Sequence, residues 1–236
     1  MDFKKEAAKK AITLIKNNSI VGLGAGSTMA HLALFLKEEI QKGLQVKVFS
    51  SSYNTRSLLQ QNGFTSEDLS AIQKLDIYFD GCDQFDKDLN ALKSGGGIHT
   101  HEKLLASMAD EFIIIGDDTK YAEALGTSFP LVLEILPESV NYVIQKTAQF
   151  FTGASITMRM SDKKDGPVVT ANGNYLLDIY VKEWPELQQV NFYLKSITGV
   201  VETSLFYQLA KKAIIGSAEG VILLQKKDDQ ILRQVF

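Results

Sequence analysis

Residues Ser19–Leu32 read SIVGLGAGSTMAHL. Ser19–Leu23 is a short apolar run of the kind a buried parallel strand requires. Met29, Leu32, Ala33, Leu36 and Ile40 then recur at helical spacing, and Gly43 closes that helix. Glycines at 22, 24 and 26, the last two with Ala25 between strand and helix, precede Ser27 and Thr28. Glycines let a backbone approach a guest closely, and a helix start offers free N–H groups and the positive end of the helix dipole. The loop is either a phosphate cradle or simply a tight turn. A dinucleotide fingerprint needs a third glycine where Met29 stands, and no Gly-Lys-Ser/Thr ending is present, so both nucleotide-loop classes are disfavoured.

The flanks extend the same pattern. Asp2–Asn18 has Ala8, Ala11, Ile12 and Ile15 on one helical face. Gln45–Phe49 is a second strand that runs into the polar cluster Ser50–Thr55, which either lines a pocket or caps a helix over Arg56–Gln61. Ser66–Lys74, capped by Ser66, is expected as another short helix. Asp76–Asp80 and Glu111–Gly116 are the next strands. Strands alternating with helices specify an α/β fold, a doubly wound, mostly parallel, Rossmann-like sheet. Ligands gather at the C-terminal ends of such strands. The glycine loop, the serine cluster and Asp80 all lie there.

After Lys120 the pattern changes. Phe129–Pro137, Ser155–Met160, Val168–Ala171 and Tyr175–Val181 read as strands, with a turn at Asn172-Gly173-Asn174. Ser139–Phe151 and Pro185–Leu194 read as helices. Residues 128–199 are therefore expected to form a smaller α+β domain inserted in a main domain of residues 1–127 and 200–236. Thr198–Phe206, Ala213–Gly216 and Gly220–Leu224 are expected to return to the main sheet.

At 236 residues the chain buries a core without disulfides or a structural metal, and its one cysteine, Cys82, forms no intrachain bridge. A net charge of −3 disfavours nucleic acid as a partner. The N-terminus lacks a continuous apolar signal core, and no apolar run approaches the ~18 residues of a membrane span. The expectation is a cytoplasmic protein with no membrane or nucleic-acid partner.

Chemistry concentrates in Asp76–Lys120, DIYFDGCDQFDKDLNALKSGGGIHTHEKLLASMADEFIIIGDDTK. Asp80 and Asp83 flank Gly81 and Cys82 in a tight turn. Lys93 and Ser94 precede Gly95, Gly96 and Gly97, and Glu102 opens a helical segment. Carboxylates, an ammonium group and backbone N–H donors suit proton transfer on a small anion. Each residue also has a plain structural reading: Asp80 as a turn residue, Glu102 as a first-turn acid, Lys93 as a solvated lysine, Cys82 as a buried small side chain. Asp86 and Asp88 read as a solvated loop. His99 and His101 match no metal spacing, so no metal and no cofactor are expected.

The ordered set GLGAGST, SSYNT, DGCDQFDKDLNALKSGGG, THEKLLAS, FIIIGDDTK, TANGNYLLDI and GVVETSLF resembles the type A ribose-5-phosphate isomerase family over nearly the whole chain. The resemblance implies metal-free interconversion of ribose 5-phosphate and ribulose 5-phosphate in the non-oxidative pentose phosphate pathway, by a homodimer or tetramer. It implies Glu102 as the proton-shuttling base. The substrate loops it implies are Ala25, Gly26, Ser27 and Thr28; Asp80, Gly81, Cys82 and Asp83; Lys93, Ser94, Gly95 and Gly96; and Lys120.

Chemistry accommodates these roles. One carboxylate can move a proton between adjacent carbons through a cis-enediol, Lys93 can stabilise the developing oxyanion, and Asp80 and Asp83 can open the sugar ring. Ala25, Gln84, Ser94 and His101 depart from the family's usual threonine, acid, glycine and arginine, which bears on affinity and sugar preference. A non-catalytic sugar-phosphate sensor and an isomerase of another phosphosugar are the alternatives. A sensor usually carries a DNA-binding helix pair first, and a sheet beginning at Ser19 leaves no room for one.

Overall fold

A computed structural model describes residues 2–65, 69–228 and 230–236. The chain opens with helix α1 (Phe3–Ala11), strand β1 (Ser19–Leu23), α2 (Ser27–Gln41), β2 (Val46–Ser50), α3 (Tyr53–Gln61) and β3 (Leu75–Asp80). Short strands β4 (Gln84–Phe85) and β5 (Ala91–Leu92) lead to α4 (His99–Met108) and β6 (Ala109–Asp117). Then come β7 (Leu131–Ile135), α5 (Val140–Phe150), β8 (Ser155–Met158), β9 (Tyr175–Tyr180) and α6 (Leu187–Ser196). The chain ends with β10 (Val200–Thr203), β11 (Leu205–Phe206), β12 (Lys212–Ser217), β13 (Gly220–Lys227) and β14 (Gln230–Val235).

Seven strands form the main sheet in the order β14-β13-β12-β6-β3-β1-β2. From β12 to β2 every pairing is parallel, and β13 and β14 add an antiparallel edge. The apolar runs explain this burial: Val21, Leu23, Ile77, Phe79, Ile113 and Ile115 face one core with Met29, Leu32 and Leu36 of α2. Tyr78, Phe112, Ile114 and Phe206 occupy the opposite face. A central parallel strand covered on both faces needs such continuous hydrophobicity.

A second sheet, β10-β7-β9-β8, is antiparallel and has its own apolar core around Leu131, Leu133, Leu177 and Val190. Here the structure corrects the sequence reading. Thr198–Phe206 does not return to the main sheet. It breaks at Ser204: β10 pairs with β7, and β11 pairs with β5 in a small sheet β11-β5-β4. The break has a local cause, because Ser204 exchanges hydrogen bonds with Val132 through its backbone N–H and its hydroxyl. Val168–Ala171 is no strand and contributes only an isolated bridge, Val169 to Tyr175. Strand β14 was not expected, since its side chains are mostly exposed and carry little apolar pattern. The expected cap Ser66 lies outside the described residues, and among the described residues of that segment Leu69–Ala71 forms a helical turn. Among the described residues, no helix is long and apolar enough to cross a membrane.

Candidate active site

The C-terminal ends of β1, β3 and β6 open onto a cleft of about 240 Å³. On one wall stand Ala25, Gly26, Ser27 and Thr28. Gly81, Cys82 and Asp83 line the cleft as well, beside Lys93, Gly95, Gly96 and Glu102, and Lys120 joins them from the turn after β6. Parallel strands converge their trailing loops at one edge, so segments 25–28, 80–83 and 116–120 meet by topology alone.

Asp80 is fully buried beneath this cleft. Its Oδ1 accepts from the Ala25 N–H at 3.1 Å and the Gly81 N–H at 2.8 Å. Its Oδ2 accepts from the Tyr78 hydroxyl at 2.6 Å and lies 2.9 Å from Lys93 Nζ. Four donors saturate the carboxylate, so Asp80 offers the cleft no free oxygen for the ring-opening role expected of it together with Asp83. It fastens the glycine loop to the Lys93 ammonium. The loop pays for this in sequence freedom: a Cβ at position 24 would fall 1.9 Å from the Asp80 carboxyl group, so only glycine fits.

Lys93 directs its ammonium at Asp80, at the Gly81 carbonyl (2.5 Å) and at Glu102 Oε1 (3.4 Å). Burial alone would lower its pKa, but the Asp80 and Glu102 carboxylates override that and raise it, so Lys93 stays charged. Glu102 sits in the first turn of α4 and is also buried. Burial first, then the Asp80 charge, push its pKa up to about 8 against the opposing pull of Lys93. A carboxyl group poised near neutrality both accepts and returns a proton readily.

Asp83 is held by the adjoining loop after Lys93: its Oδ2 accepts from the Ser94 N–H (2.6 Å) and the Gly95 N–H (3.1 Å). Ser94 does not face the cleft, because its hydroxyl donates to the Pro130 carbonyl. At the glycine loop, Gly26 has φ 98°, and among the described residues no side chain caps α2. The capping oxygens of Asp2 on α1 and Ser52 on α3 have no counterpart there. The start of α2 is thus an open set of N–H donors facing the cleft, as an anion site requires.

Several residues turn out to be structural. Ser52 caps α3, and the Thr55 hydroxyl donates to the Gly24 carbonyl (2.8 Å), so the serine cluster braces the glycine loop from behind. Asp86 is buried rather than solvated and accepts from both N–H groups of Asn90, backbone and side chain. His99 is buried with its Nε2 near the Glu202 carbonyl, and burial, then the Lys103 charge, lower its pKa to about 4. Burial first pushes the Cys82 thiol up to about 12, so this cleft-lining side chain favours the neutral thiol. Among the described residues, no group of three or more His, Cys, Asp or Glu is placed to hold a metal.

The sequence reading missed Lys4. It reaches the cleft from α1 because α1 packs across β6 and β12, a contact with no local signature. Ile98 and Ile115 supply apolar wall.

The profile of the family described as ribose 5-phosphate isomerase A (phosphoriboisomerase A) matches residues 47–220. Ribose-5-phosphate isomerase A of Methanothermobacter thermautotrophicus is 38% identical over 226 residues, 95% of this chain and 98% of that protein. The solved ribose 5-phosphate isomerase A of Methanocaldococcus jannaschii superposes with a TM-score of 0.88 at 32% identity, covering 95% of this chain and 98% of the other. A D-ribose-5-phosphate isomerase solved in complex with phospho-erythronic acid gives a TM-score of 0.89 at 31% identity over 95% and 98% of the two chains. With a buried glutamate, a charged lysine and an uncapped helix start gathered in one cleft, and with these matches along its length, the chain belongs to the ribose 5-phosphate isomerase A family.

Proposed function

We propose that this isomerase interconverts D-ribose 5-phosphate and D-ribulose 5-phosphate, with Glu102 carrying the proton between C2 and C1. The observation that carries this reading is the Lys93–Glu102 pair, 3.4 Å apart and buried, at the rim of a cleft that ends in an open helix start. Ionised Glu102 takes the C2 hydrogen of the open-chain aldose, and the electron pair forms a C1–C2 double bond while charge moves to O1. The Lys93 ammonium stabilises that oxyanion. Protonated Glu102 then returns the hydrogen to C1, and the O2 proton passes to O1 as C2 becomes a carbonyl.

Asp83, held on one oxygen by the Ser94 and Gly95 N–H groups, takes the anomeric hydroxyl proton as C1 becomes a carbonyl and the C1–O4 bond breaks, and hands that proton to the departing ring oxygen. The phosphate sits at the α2 N-terminus near Gly26, Ser27 and Thr28, with Lys4 and Lys120 lining the same cleft. Asp80 acts through Lys93.

The same reading has the enzyme working in the non-oxidative pentose phosphate pathway, in the cytoplasm, as a homo-oligomer. It needs no metal, since Lys93 supplies the positive charge at the reacting oxygen. Residues 128–199 are proposed as an inserted unit on a main unit of 1–127 and 200–236. The separate core around Leu131 and Val190 supports the division, although β10 adds a strand from past its end.

The test is Glu102→Gln with ribose 5-phosphate. Turnover is expected to vanish while calorimetric binding persists, and wild-type product formed in deuterated water is expected to carry label at C1. Substantial turnover by the variant would remove Glu102 from the base role. EDTA is expected to leave the wild-type rate unchanged.

A further inference from the structure

The backbone of the loop after Lys93 is bonded on both sides. Its N–H groups at Ser94 and Gly95 point inward to Asp83 Oδ2. Its carbonyls point outward, to a guanidinium contributed by the second sheet. Arg159 follows β8 and donates through Nη2 to the Ser94 carbonyl at 2.8 Å and through Nη1 to the Gly95 carbonyl at 3.4 Å. The other edge of the same guanidinium is paired with Asp178 on β9: Nε lies 3.1 and 3.0 Å from the two carboxylate oxygens, and Nη2 lies 2.5 Å from Oδ1.

We propose that Arg159 is a positioning residue for Asp83. One peptide group, Ser94–Gly95, links the guanidinium to the carboxylate directly: its carbonyl accepts from Arg159 and its N–H donates to Asp83. A cation on the carbonyl side of a peptide strengthens the donor on its N–H side, because hydrogen bonds in a chain polarise one another. The restraint falls just before a glycine pair: Gly96 and Gly97 follow at φ 40° and 67°, a backbone region that side-chain-bearing residues rarely adopt. The planar fork of arginine serves a carboxylate and two carbonyls at once, whereas a lysine ammonium is a single point. Asp178 fixes the fork in rotation, so the second sheet sets where Asp83 holds its free oxygen in the cleft. This inference rests on the ring-opening role proposed for Asp83.

A merely structural arginine would affect unfolding and leave the kinetics of the folded enzyme alone. Displacing a reacting group by about 1 Å costs on the order of 100-fold. Arg159→Met is therefore expected to lower kcat roughly 10- to 100-fold. KM should change less than about threefold, since the phosphate end of the cleft is untouched. Arg159→Lys should fall between wild type and Arg159→Met.

The deciding measurement is a double-mutant cycle with Asp83→Asn, with ribose 5-phosphate as substrate, each variant first checked for cooperative thermal unfolding. In the Asp83→Asn background the arginine substitution should cost less than about threefold. Full additivity of the two losses overturns the clamp, and so does an Arg159→Met kcat within about twofold of wild type. If Arg159→Met does not fold, the same cycle is read with Arg159→Lys. Wild-type rates in Asp83→Asn alone would overturn the role of Asp83, which is a separate result.

Discussion

A catalytic carboxyl group held against its preferred ionisation should weaken the fold, and Glu102 allows that to be measured. Its pKa is raised from 4.5 to about 8, by burial first and the Asp80 charge second. The sign follows from proton binding. Between those two values folded Glu102 holds a proton that the unfolded chain has released. Wild-type stability from this group is therefore full at low pH and is lost as pH rises from 4.5 to about 8, with no further change above. At about 1.4 kcal/mol per pH unit, the whole interval is worth at most about 5 kcal/mol. Glu102→Gln does not titrate. Lys93 keeps Asp80 and the Gly81 carbonyl as partners, so it stays charged in the variant across this range. From about pH 5.5 to about pH 9 the stability of the variant relative to wild type should rise by up to about 3 kcal/mol. For a chain of this length that is roughly 6–12 °C in melting temperature. The assay is thermal unfolding by circular dichroism at both pH values, with urea titrations as a check. A melting-temperature difference that does not grow with pH would refute the reasoning, as would a variant that loses ground at high pH. The same titration governs catalysis. Below about pH 8 the free-enzyme kcat/KM should climb with pH as Glu102 ionises, and a rise centred near pH 4.5 would contradict the buried, charge-coupled carboxyl group.

Other consequences are simpler to state. Lys93→Met should lower kcat by about 100- to 1,000-fold, the scale of losing one fixed donor at a developing oxyanion; a kcat within tenfold of wild type would assign that charge to another group. Lys4→Ala should raise KM for ribose 5-phosphate with little change in kcat, by about 10-fold for one lost charged contact of roughly 1.5 kcal/mol, and an unchanged KM would remove Lys4 from phosphate binding. Gly24→Ala forces a methyl group into the Asp80 carboxyl and should cost more than about 3 kcal/mol or prevent folding; an unfolding midpoint equal to wild type would show that the loop and Asp80 part easily.

The amino-acid sequence alone laid down the alternation of β1, α2, β2 and β3. Hydrophobic runs and helical spacing are local, and a glycine loop between them restricts what can follow. It also placed Glu102 at a helix start and Asp83 and Lys93 beside turns, because turn chemistry is written in neighbouring residues. Which of these face the cleft depended on packing between segments distant in the chain. Asp80 reads from sequence as a turn residue or as one of two ring-opening carboxylates, yet the Tyr78 hydroxyl, the Lys93 ammonium and two backbone N–H groups enclose it. Lys4, far from the motif in sequence, arrives because α1 lies across the sheet. Thr198–Phe206 split between two sheets because strand pairing depends on partners distant in the chain, such as Val132 against Ser204. Periodicity reports which face of a segment is apolar. The raised pKa of Glu102 and the company kept by each carboxylate come from burial and charge at a few ångströms, and those distances exist only once the chain has folded.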